Sequence, residues 1–429
     1  MRDAALMATM AVLLGLVLAH PFAGVLLWNW ISFMNPHRLV YGPAAEFPWA
    51  MLVLAATLLG CLLAGELRLP PGNANTWLIL ALMACITATS ATALGDPAAV
   101  WEKWERVIKV LVGLLVTAAL LTSRRRLHAL IWVMVISIGY FGVRGGLFAL
   151  VTGGNYRVWG PPQTMITDNN HLAAAMLISL PLMNYLRLQS AHRLVRLGLA
   201  VAMGLTLLAV ISSYSRGALL GLAAVGALMW WRSRGKVVSG LVIAASLAAS
   251  ISFMPPAWLE RMNSITSHQA DESASERLVL WGISTDLALA RPLVGSGFTG
   301  PYNRSVVDTV RPDGPARAVH SIWFELLGEH GFPTFIIWVG LTLAGLWHTS
   351  RLIRLARGDP SLAWAGDLGR MAQISMLAYL VAGSFLSLSY WDFYWTLLVV
   401  LGAAQGLLVA ATAPARPALG WRAKARQAA

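Results

Sequence analysis

Long apolar runs recur along almost the whole chain, separated by short polar connections. A helix needs about 20 mostly apolar residues to cross the hydrocarbon core of a bilayer, so this pattern predicts transmembrane helices. We expect an all-α polytopic membrane protein with 12 or 13 spans. The predicted spans are 4–20, 22–34, 48–65, 77–94, 107–122, 127–150, 170–187, 195–212, 217–232, 237–254, 332–348, 370–389 and 391–411.

The first two apolar runs decide whether the number of spans is 12 or 13. Segment 22–34 is too short to cross alone, and Pro21 precedes it, so the pair is either two spans, one kinked span or a re-entrant hairpin. The first run resembles a signal peptide. However, Leu18-Ala19-His20-Pro21 is a poor cleavage site, and we expect a retained span.

The composition agrees with a membrane protein: 57% of residues are hydrophobic, 12% are charged and the mean hydropathy is +0.64. Soluble domains average about 25% charged residues. The net charge of +13 raises the possibility of nucleic-acid binding. Because the basic residues cluster in short connections, as cytoplasmic loops do, we interpret the charge as a topology signal and expect no nucleic-acid partner. These clusters are Arg124–Arg126, Arg193 with Arg196, Arg232 with Arg234 and Lys236, Arg351 with Arg354 and Arg357, and Arg416, Arg422, Lys424 and Arg426.

Strict alternation of the spans places every basic cluster on the cytoplasmic side, including a basic tail at 412–429. It places loop 255–331, the only long polar interruption, outside the cytoplasm. We divide the chain into an N-terminal membrane region at 1–150 and a second membrane region at 151–411 that contains this loop. The loop should hold most of the chemistry.

Two residue classes are expected to be structural. Cys61 and Cys85 lie within apolar runs and should pack there without forming a disulfide or a metal site. The acidic residues Asp271, Glu272, Glu276 and Asp286 lack metal-ligand spacing with His or Cys and are expected to be solvated.

Three basic residues are predicted to lie outside the cytoplasm, where the accumulation of Lys and Arg in cytoplasmic loops does not account for them. Arg216 follows serines that can cap a helix, and a helix N-terminus favours anions; a snorkelling interfacial arginine is the alternative. Arg277 and Trp281 share one helix face; a pair with Glu276 and an interfacial anchor are the alternatives. His320 begins a helix predicted to lie along the membrane surface, where it can accept a proton or simply cap the helix.

Weaker candidates line the same side. Gly295 and Gly297 lie in a G-x-G-x-x-G stretch that lacks a preceding strand, which argues against dinucleotide binding but leaves phosphate contact through the backbone. Asp168 or Asn169 either caps the helix that follows or lines a polar cavity.

These residues together resemble the O-antigen ligase/polymerase superfamily over about 160–400. The matching motifs are Ser215-Arg216-Gly217, the spacing of Arg277 and Trp281, the turn Pro292 to Gly297, and His320-Ser321 followed by Glu329-His330-Gly331. A second stretch, Trp28-Asn29-Trp30 followed by Met34-Asn35-Pro36-His37-Arg38-Leu39, resembles O-glycosylation ligases associated with exosortase A systems.

The resemblance implies a GT-C-like fold and metal-independent, inverting glycosyl transfer without a cofactor, at the periplasmic side of a bacterial inner membrane. The donor would be a glycan on polyprenyl (undecaprenyl) diphosphate, and the acceptor a hydroxyl of a lipid, sugar or protein. It implies catalytic roles for Arg216, Arg277 and His320. It also implies substrate binding by Arg216, Arg277, Trp281, Gly295, Gly297 and Asn169.

Two other functions fit the residues. One is a polymerase that extends the lipid-linked glycan itself. The other is a transporter of an anionic solute, which the intramembrane Arg144 beside Gly142, Gly145 and Gly146 would favour.

Overall fold

The structure, a computed structural model, describes residues 1–233, 235–263 and 272–412. This part of the chain forms sixteen α-helices and no strand, which confirms the predicted all-α fold. The helices are α1 Arg2–Ala19, α2 Pro21–Met34, α3 Trp49–Leu63, α4 Ala74–Ala91, α5 Pro97–Leu120, α6 Arg124–Thr152, α7 Asn169–Gln189, α8 Arg193–Ile211, α9 Arg216–Arg232, α10 Lys236–Phe253, α11 Pro256–Asn263, α12 Glu272–Ala290, α13 Arg304–Val307, α14 Ile322–Leu355, α15 Ala363–Gly383 and α16 Asp392–Thr412.

Each predicted span overlaps a helix, although α15 begins seven residues before and ends six residues before the limits of the predicted span 370–389. Within the described ranges, eight helices are long and apolar enough to cross a membrane: α1, α4, α6, α7, α8, α10, α14 and α16. Three shorter apolar helices, α2, α3 and α9, correspond to further predicted spans, as do α5 and α15. The fold is therefore a polytopic helical bundle, while the total of 12 or 13 crossings stays a prediction.

The first two segments form two separate helices that meet at His20. Asp3, near the start of α1, accepts a hydrogen bond from the Ala44 N–H beyond the end of α2, whereas the end of α1 packs on Gly24 at the start of α2. The two helices are thus antiparallel, and the alternative of one kinked span is wrong.

Contacts between connections define two ends of the bundle. At one end, Arg38 donates to Gln163 and Arg291 donates to the Thr92 carbonyl. At the opposite end, Arg126 pairs with Glu66, and Gln189 donates to Asp367. The first end holds the connections 35–48, 153–168 and 212–215 as well as residues 291–321, and we call it the site end.

Close helix contacts rest on small residues. On α6, Gly142 and Gly146 face α8, where a Cβ on Gly146 would lie 2.2 Å from the Leu205 carbonyl oxygen. Small residues let membrane helices approach closely enough for van der Waals packing. On α7, the run Ala173–Ala175 is fully buried against neighbouring helices. Helix α7 consequently forms the centre of the bundle, and the site end is built around its N-terminus.

Two helices differ from their predicted bounds for identifiable reasons. Helix α5 begins ten residues before the apolar run 107–122, because Asp96 caps it and Pro97 occupies its first position. Helix α14 joins the predicted His320 helix to the span 332–348 across a break at Gly331, where φ is 71° and ψ is −174°. In both α5 and α14, the polar residues that precede the apolar run are therefore helical as well.

Several predicted features fall outside the described residues. These are Arg234, Asp271 and the basic tail from residue 413 onward, with Arg416, Arg422, Lys424 and Arg426.

Candidate active site

Arg216 is the first residue of α9, as predicted. The preceding turn, residues 212–215, is buried, and the Ser215 hydroxyl accepts the Ala218 N–H at 3.2 Å to cap the helix. Tyr214 adopts a left-handed conformation with φ of 60°, which reverses the chain between α8 and α9. Arg216 is half-buried at this helix start, where the N-terminal N–H groups and the helix dipole favour anions.

The turn before Arg216 is held from three sides. The Asn169 amide donates to the Ser213 carbonyl at 2.7 Å, and the Trp258 indole donates to the Ile211 carbonyl at 2.8 Å. From α11, the Arg261 Nε donates to the Tyr214 carbonyl at 2.9 Å. Asn169, predicted to bind substrate, is buried here and positions the backbone that presents Arg216.

Arg277 and Trp281 lie one turn apart on α12, as their spacing predicts. The Trp281 indole donates to the Val319 carbonyl at 3.1 Å and stacks on Phe324 with ring centroids 5.1 Å apart. Trp281 thus fixes α12 against the segment that carries His320. Its alternative role as an interfacial anchor is not what the structure shows.

The acidic residues of this region are paired. Glu276 forms its ion pair with Arg317 and not with Arg277, and Asp286 forms one with Arg311. The prediction that these carboxylates are merely solvated is therefore wrong, since each is partly shielded by an arginine. Arg277 keeps its guanidinium for other partners.

His320 directly precedes the capped start of α14. Ser321 accepts the Trp323 N–H, and the His320 N–H donates to the Ser387 hydroxyl at 3.0 Å. The φ of His320 is 52°, a left-handed conformation that costs a non-glycine residue roughly 1–2 kcal/mol. Such strain persists only where surrounding contacts hold it, and it is concentrated at functional sites.

The His320 helix does not lie on the membrane surface as predicted. Its residues from Ile322 to His330 are mostly buried, including the polar Glu325, Glu329 and His330. The apolar residues of this helix lie at helical spacing, as predicted. The polar residues Glu325 and Glu329 do not face water, however, because each is buried and has several partners inside the protein.

Those partners, Lys103, Tyr302 and Tyr390, form a cluster with Glu325 and Glu329. The Lys103 ammonium lies 2.8 Å from Glu329 and 3.7 Å from Glu325. Tyr390 donates to Glu329 at 2.6 Å, and Tyr302 donates to Glu325 at 3.1 Å. Two carboxylates and one ammonium thus share the far side of the His320 helix, which we call the buried acidic cluster.

The charge of Arg216 acts on Arg277, and the charge of Arg277 acts on His320. Burial lowers the pKa of Arg277, the charge of Arg216 lowers it further, and Asp168 opposes both. Burial also lowers the pKa of His320, as do Arg277 and His171, whereas Asp168 and Glu325 act in the opposite direction. Arg277 is therefore within electrostatic range of both Arg216 and His320.

Asp168 is the acidic member of this site. It caps α7 by accepting the N–H groups of Asn170 at 2.7 Å and His171 at 2.9 Å, and it also contacts the His171 ring. Burial by itself would raise the pKa of Asp168, but the bonds and charge from His171 and the backbone bonds lower it to about 2. Asp168 thus stays ionised; the cap alternative is confirmed.

The sequence interpretation missed two arginines. Burial lowers the pKa of Arg261, and the charges of Arg157, Arg216 and Arg277 lower it further. The Arg157 guanidinium lies 5.9 Å from the centre of the Tyr214 ring. Both residues satisfy the criterion that singled out Arg216, namely an arginine in a connection where topology does not require one. Arg157 and Arg261 therefore belong to the same electrostatic neighbourhood as Arg216 and Arg277.

Gly295 and Gly297 have a packing role. Their φ angles are 61° and 81°, which favour glycine. The N–H groups of Gly295, Ser296 and Gly297 donate to the carbonyls of Arg291, Gly328 and Glu329 at 2.8, 3.0 and 2.7 Å. These groups are already bonded within the protein, so the geometry does not support the predicted backbone contact with phosphates.

Comparison with known families separates the chain into two matching parts. Residues 201–339 match the O-antigen ligase family. This ligase-family segment contains Arg216, Arg261, Arg277 and His320. Residues 1–191 match a family of unknown function, DUF5935, and contain Arg157, Asp168 and His171. No curated protein matches the chain.

The site thus combines both matching parts. The ligase-family segment supplies Arg216, Arg277 and His320, and the N-terminal match supplies Asp168, whose carboxylate acts on Arg277 and His320. The match supports the superfamily suggested by the motifs. The narrower resemblance to exosortase-associated ligases stays a prediction, as does the boundary between 150 and 151.

Proposed function

We propose that this protein is a ligase-type glycosyltransferase that moves a glycan from a polyprenyl diphosphate carrier to a hydroxyl acceptor. The observation that carries the proposal is the electrostatic convergence of Arg277 with both Arg216 and His320 inside the segment that matches O-antigen ligases. A site in which Arg216, Arg261 and Arg277 lie within electrostatic range of one another suits a strongly anionic ligand such as a diphosphate.

In the proposed reaction, the acceptor oxygen attacks the anomeric carbon of the donor sugar. The bond between that carbon and the diphosphate oxygen breaks, and its electron pair leaves with the diphosphate. Arg216 and Arg277 stabilise the resulting negative charge; one well-placed donor in such a site contributes about 3–4 kcal/mol. Attack from the opposite face inverts the anomeric centre.

His320 accepts the proton of the acceptor hydroxyl in this scheme. A base must be neutral to do so, and the lowered pKa of His320 keeps its imidazole neutral at neutral pH. General-base assistance typically contributes about 10²–10⁴-fold in rate. Trp281, through Val319 and Phe324, positions the strand of chain that carries this histidine.

We further propose that the site end faces the periplasm and that the bilayer is the bacterial inner membrane. The support is the placement of the basic clusters. At the end of the bundle opposite the site, Arg124–Arg126, Arg193 and Lys236 lie in the first turns of α6, α8 and α10, and Arg351 lies near the end of α14. Lys and Arg accumulate in short cytoplasmic connections, so the site end lies on the other side.

The deciding test is Arg277→Lys assayed with a purified polyprenyl-diphosphate-linked glycan. Lysine keeps the charge but not the planar pair of donors, so we expect transfer to fall about 10²–10³-fold. Arg125→Lys, an exposed arginine at the opposite end, serves as the matched control and should retain full transfer.

Normal transfer by Arg277→Lys, at wild-type protein levels, would remove this arginine from the mechanism. The product distinguishes the two superfamily activities. Glycan on a separate acceptor supports the ligase, whereas elongated lipid-linked glycan with nothing transferred elsewhere would identify a polymerase.

A further inference from the structure

A second candidate binding site lies at the site end, away from Arg216 and His320. It is a groove of about 950 Å³ between α1, the end of α2, α6 and the connection 153–168. Its polar and aromatic lining includes Arg2, Arg38, Arg144, Tyr41, Tyr140 and Trp159. None of these residues belongs to the ligase-family segment, and all lie within the N-terminal match. The match to O-antigen ligases therefore does not account for this groove.

The groove is strongly cationic. Its lining contains three arginines and, among the residues that the structure describes, no Asp or Glu. Arg38 donates to the neutral Gln163 at 2.5 Å, and Arg144 is exposed on α6 with no hydrogen-bond or ion-pair partner among the described residues. Arg144 lies eight residues before the end of α6, or about 12 Å along the helix. An arginine at that depth of an apolar helix is costly without an anionic partner and marks a functional site.

The groove is also aromatic. Tyr41 is 95% exposed, Trp159 is 59% exposed and Tyr140 is 39% exposed. Tyr41 and Trp159 lie on connections beyond the helix ends, so they flank the mouth of the groove and do not sit along a span. Flat aromatic faces pack against the C–H faces of sugar rings. A phosphate alone would occupy the arginines but leave these rings and most of the volume without contacts, because ligand sites of this size bury whole small molecules.

The connection 153–168 joins the groove to the active site. Trp159 and Pro161 line the groove, and Asp168, which couples to Arg277 and His320, ends the same connection. Its shape is fixed because the Gly160 N–H donates to the Thr167 carbonyl at 2.9 Å. A Cβ on Gly160 would overlap the Ile166 carbonyl. A chain-like ligand can thus reach from one site to the other across a single rigid connection.

We propose that this groove binds an acidic saccharide. Its carboxylates or other anionic substituents pair with Arg38 and Arg144, and its sugar rings stack on Trp159 and Tyr41. In the transfer reaction, the groove holds sugars of the glycan that lie far from the diphosphate. That last step rests on the proposed function, whereas the binding itself does not.

The test measures binding to the purified full-length protein in a neutral detergent by isothermal titration calorimetry. The probes are an oligogalacturonide, a neutral malto-oligosaccharide of equal length, inorganic pyrophosphate and short-chain phosphatidylglycerol. We expect the oligogalacturonide to bind most tightly, with an affinity that falls as salt rises. Arg144→Gln and Trp159→Ala should each weaken it about tenfold.

Arg125→Gln is the matched control, since it removes an exposed arginine from the same helix at the opposite end, and it should leave binding unchanged. Equal binding of the neutral oligosaccharide would overturn the proposal. Tighter, Arg144-dependent binding of pyrophosphate or phosphatidylglycerol would also overturn it and identify a phosphate or lipid-headgroup site. No binding by any probe overturns it as well.

His320→Ala separates the two proposals. This variant should lose transfer but bind the oligogalacturonide as the wild type does. Failure of the wild type to transfer any glycan would contradict the proposed function and leave the binding result standing.

Discussion

The His320 helix separates two charged regions that differ in one respect. On one side, Arg261 and Arg277 lie within electrostatic range of Arg216, Arg157 acts on Arg261, and the carboxylate of Asp168 acts on Arg277. On the other side, the buried acidic cluster pairs Glu325 and Glu329 with Lys103 and with hydrogen bonds from tyrosines. Ion-paired charges in the interior hold the protein together, whereas arginines that cluster with one another suit an anionic ligand. Burial alone would not have distinguished the two regions.

The strongest test of this contrast is Lys103→Met. Because Glu329 is fully buried, removal of its cation should lower the free energy of unfolding by about 3–5 kcal/mol. Lys109→Met on the same helix removes an exposed pair with Glu105 and should leave the unfolding midpoint close to that of the wild type. Thermal unfolding in detergent provides the measurement.

A double variant sharpens the same prediction. Glu329→Gln in the Lys103→Met background removes the uncompensated charge and should recover much of the loss. Equal destabilisation by Lys103→Met and Lys109→Met would show that the cluster is not structural.

A smaller effect is expected for Arg261→Gln on the opposite side of the helix. Arg261 adds charge to the site and holds the Tyr214 carbonyl. Loss of the charge should raise the KM for the lipid-linked donor about three- to tenfold. Arg357→Gln, exposed at the other end of the bundle, is the comparison. An unchanged KM would limit the anion site to Arg216 and Arg277.

The smallest predicted effect concerns pH. Since His320 acts when neutral and its pKa lies below the ordinary value of 6.5, transfer should be constant above that value and fall as acid protonates the ring. Arg277 and His171 lower this pKa, while Asp168 and Glu325 raise it. Asp168→Asn keeps a helix cap but removes one raising charge, so the acid limb should move to lower pH.

The shift is measured from the pH profile of the transfer rate. A limb that moves to higher pH, or does not move, would exclude Asp168 as a charge that acts on His320. A merely structural role of Asp168 would reduce the rate at every pH.

Local patterns predicted much of this molecule. Apolar runs located thirteen of the helices, because a bilayer requires continuous hydrophobic length. The serines before Arg216 indicated the start of its helix correctly, since capping depends on neighbours in the sequence. Helical apolar spacing indicated the helix that follows His320. Arg277 and Trp281 followed from helical spacing alone.

Long-range pairings could not be predicted in this way. Lys103 meets Glu329 across 226 residues, and Asn169 holds a turn 44 residues away. Nothing local marks such partners, because only packing brings them together. For the same reason, the acidic residues Glu276 and Asp286 were interpreted as solvated, although Arg317 and Arg311 cover them.

Tyr214 and His320 share a feature with a practical consequence. Each holds a left-handed backbone directly before a serine that caps a site helix. Glycine would adopt that backbone without strain, but it would carry neither the imidazole nor the phenol that bonds the Gly154 carbonyl. At His320, glycine would therefore favour heat resistance, whereas the proposed transfer requires the imidazole. A thermostabilised form of this protein has to gain its stability elsewhere in the bundle.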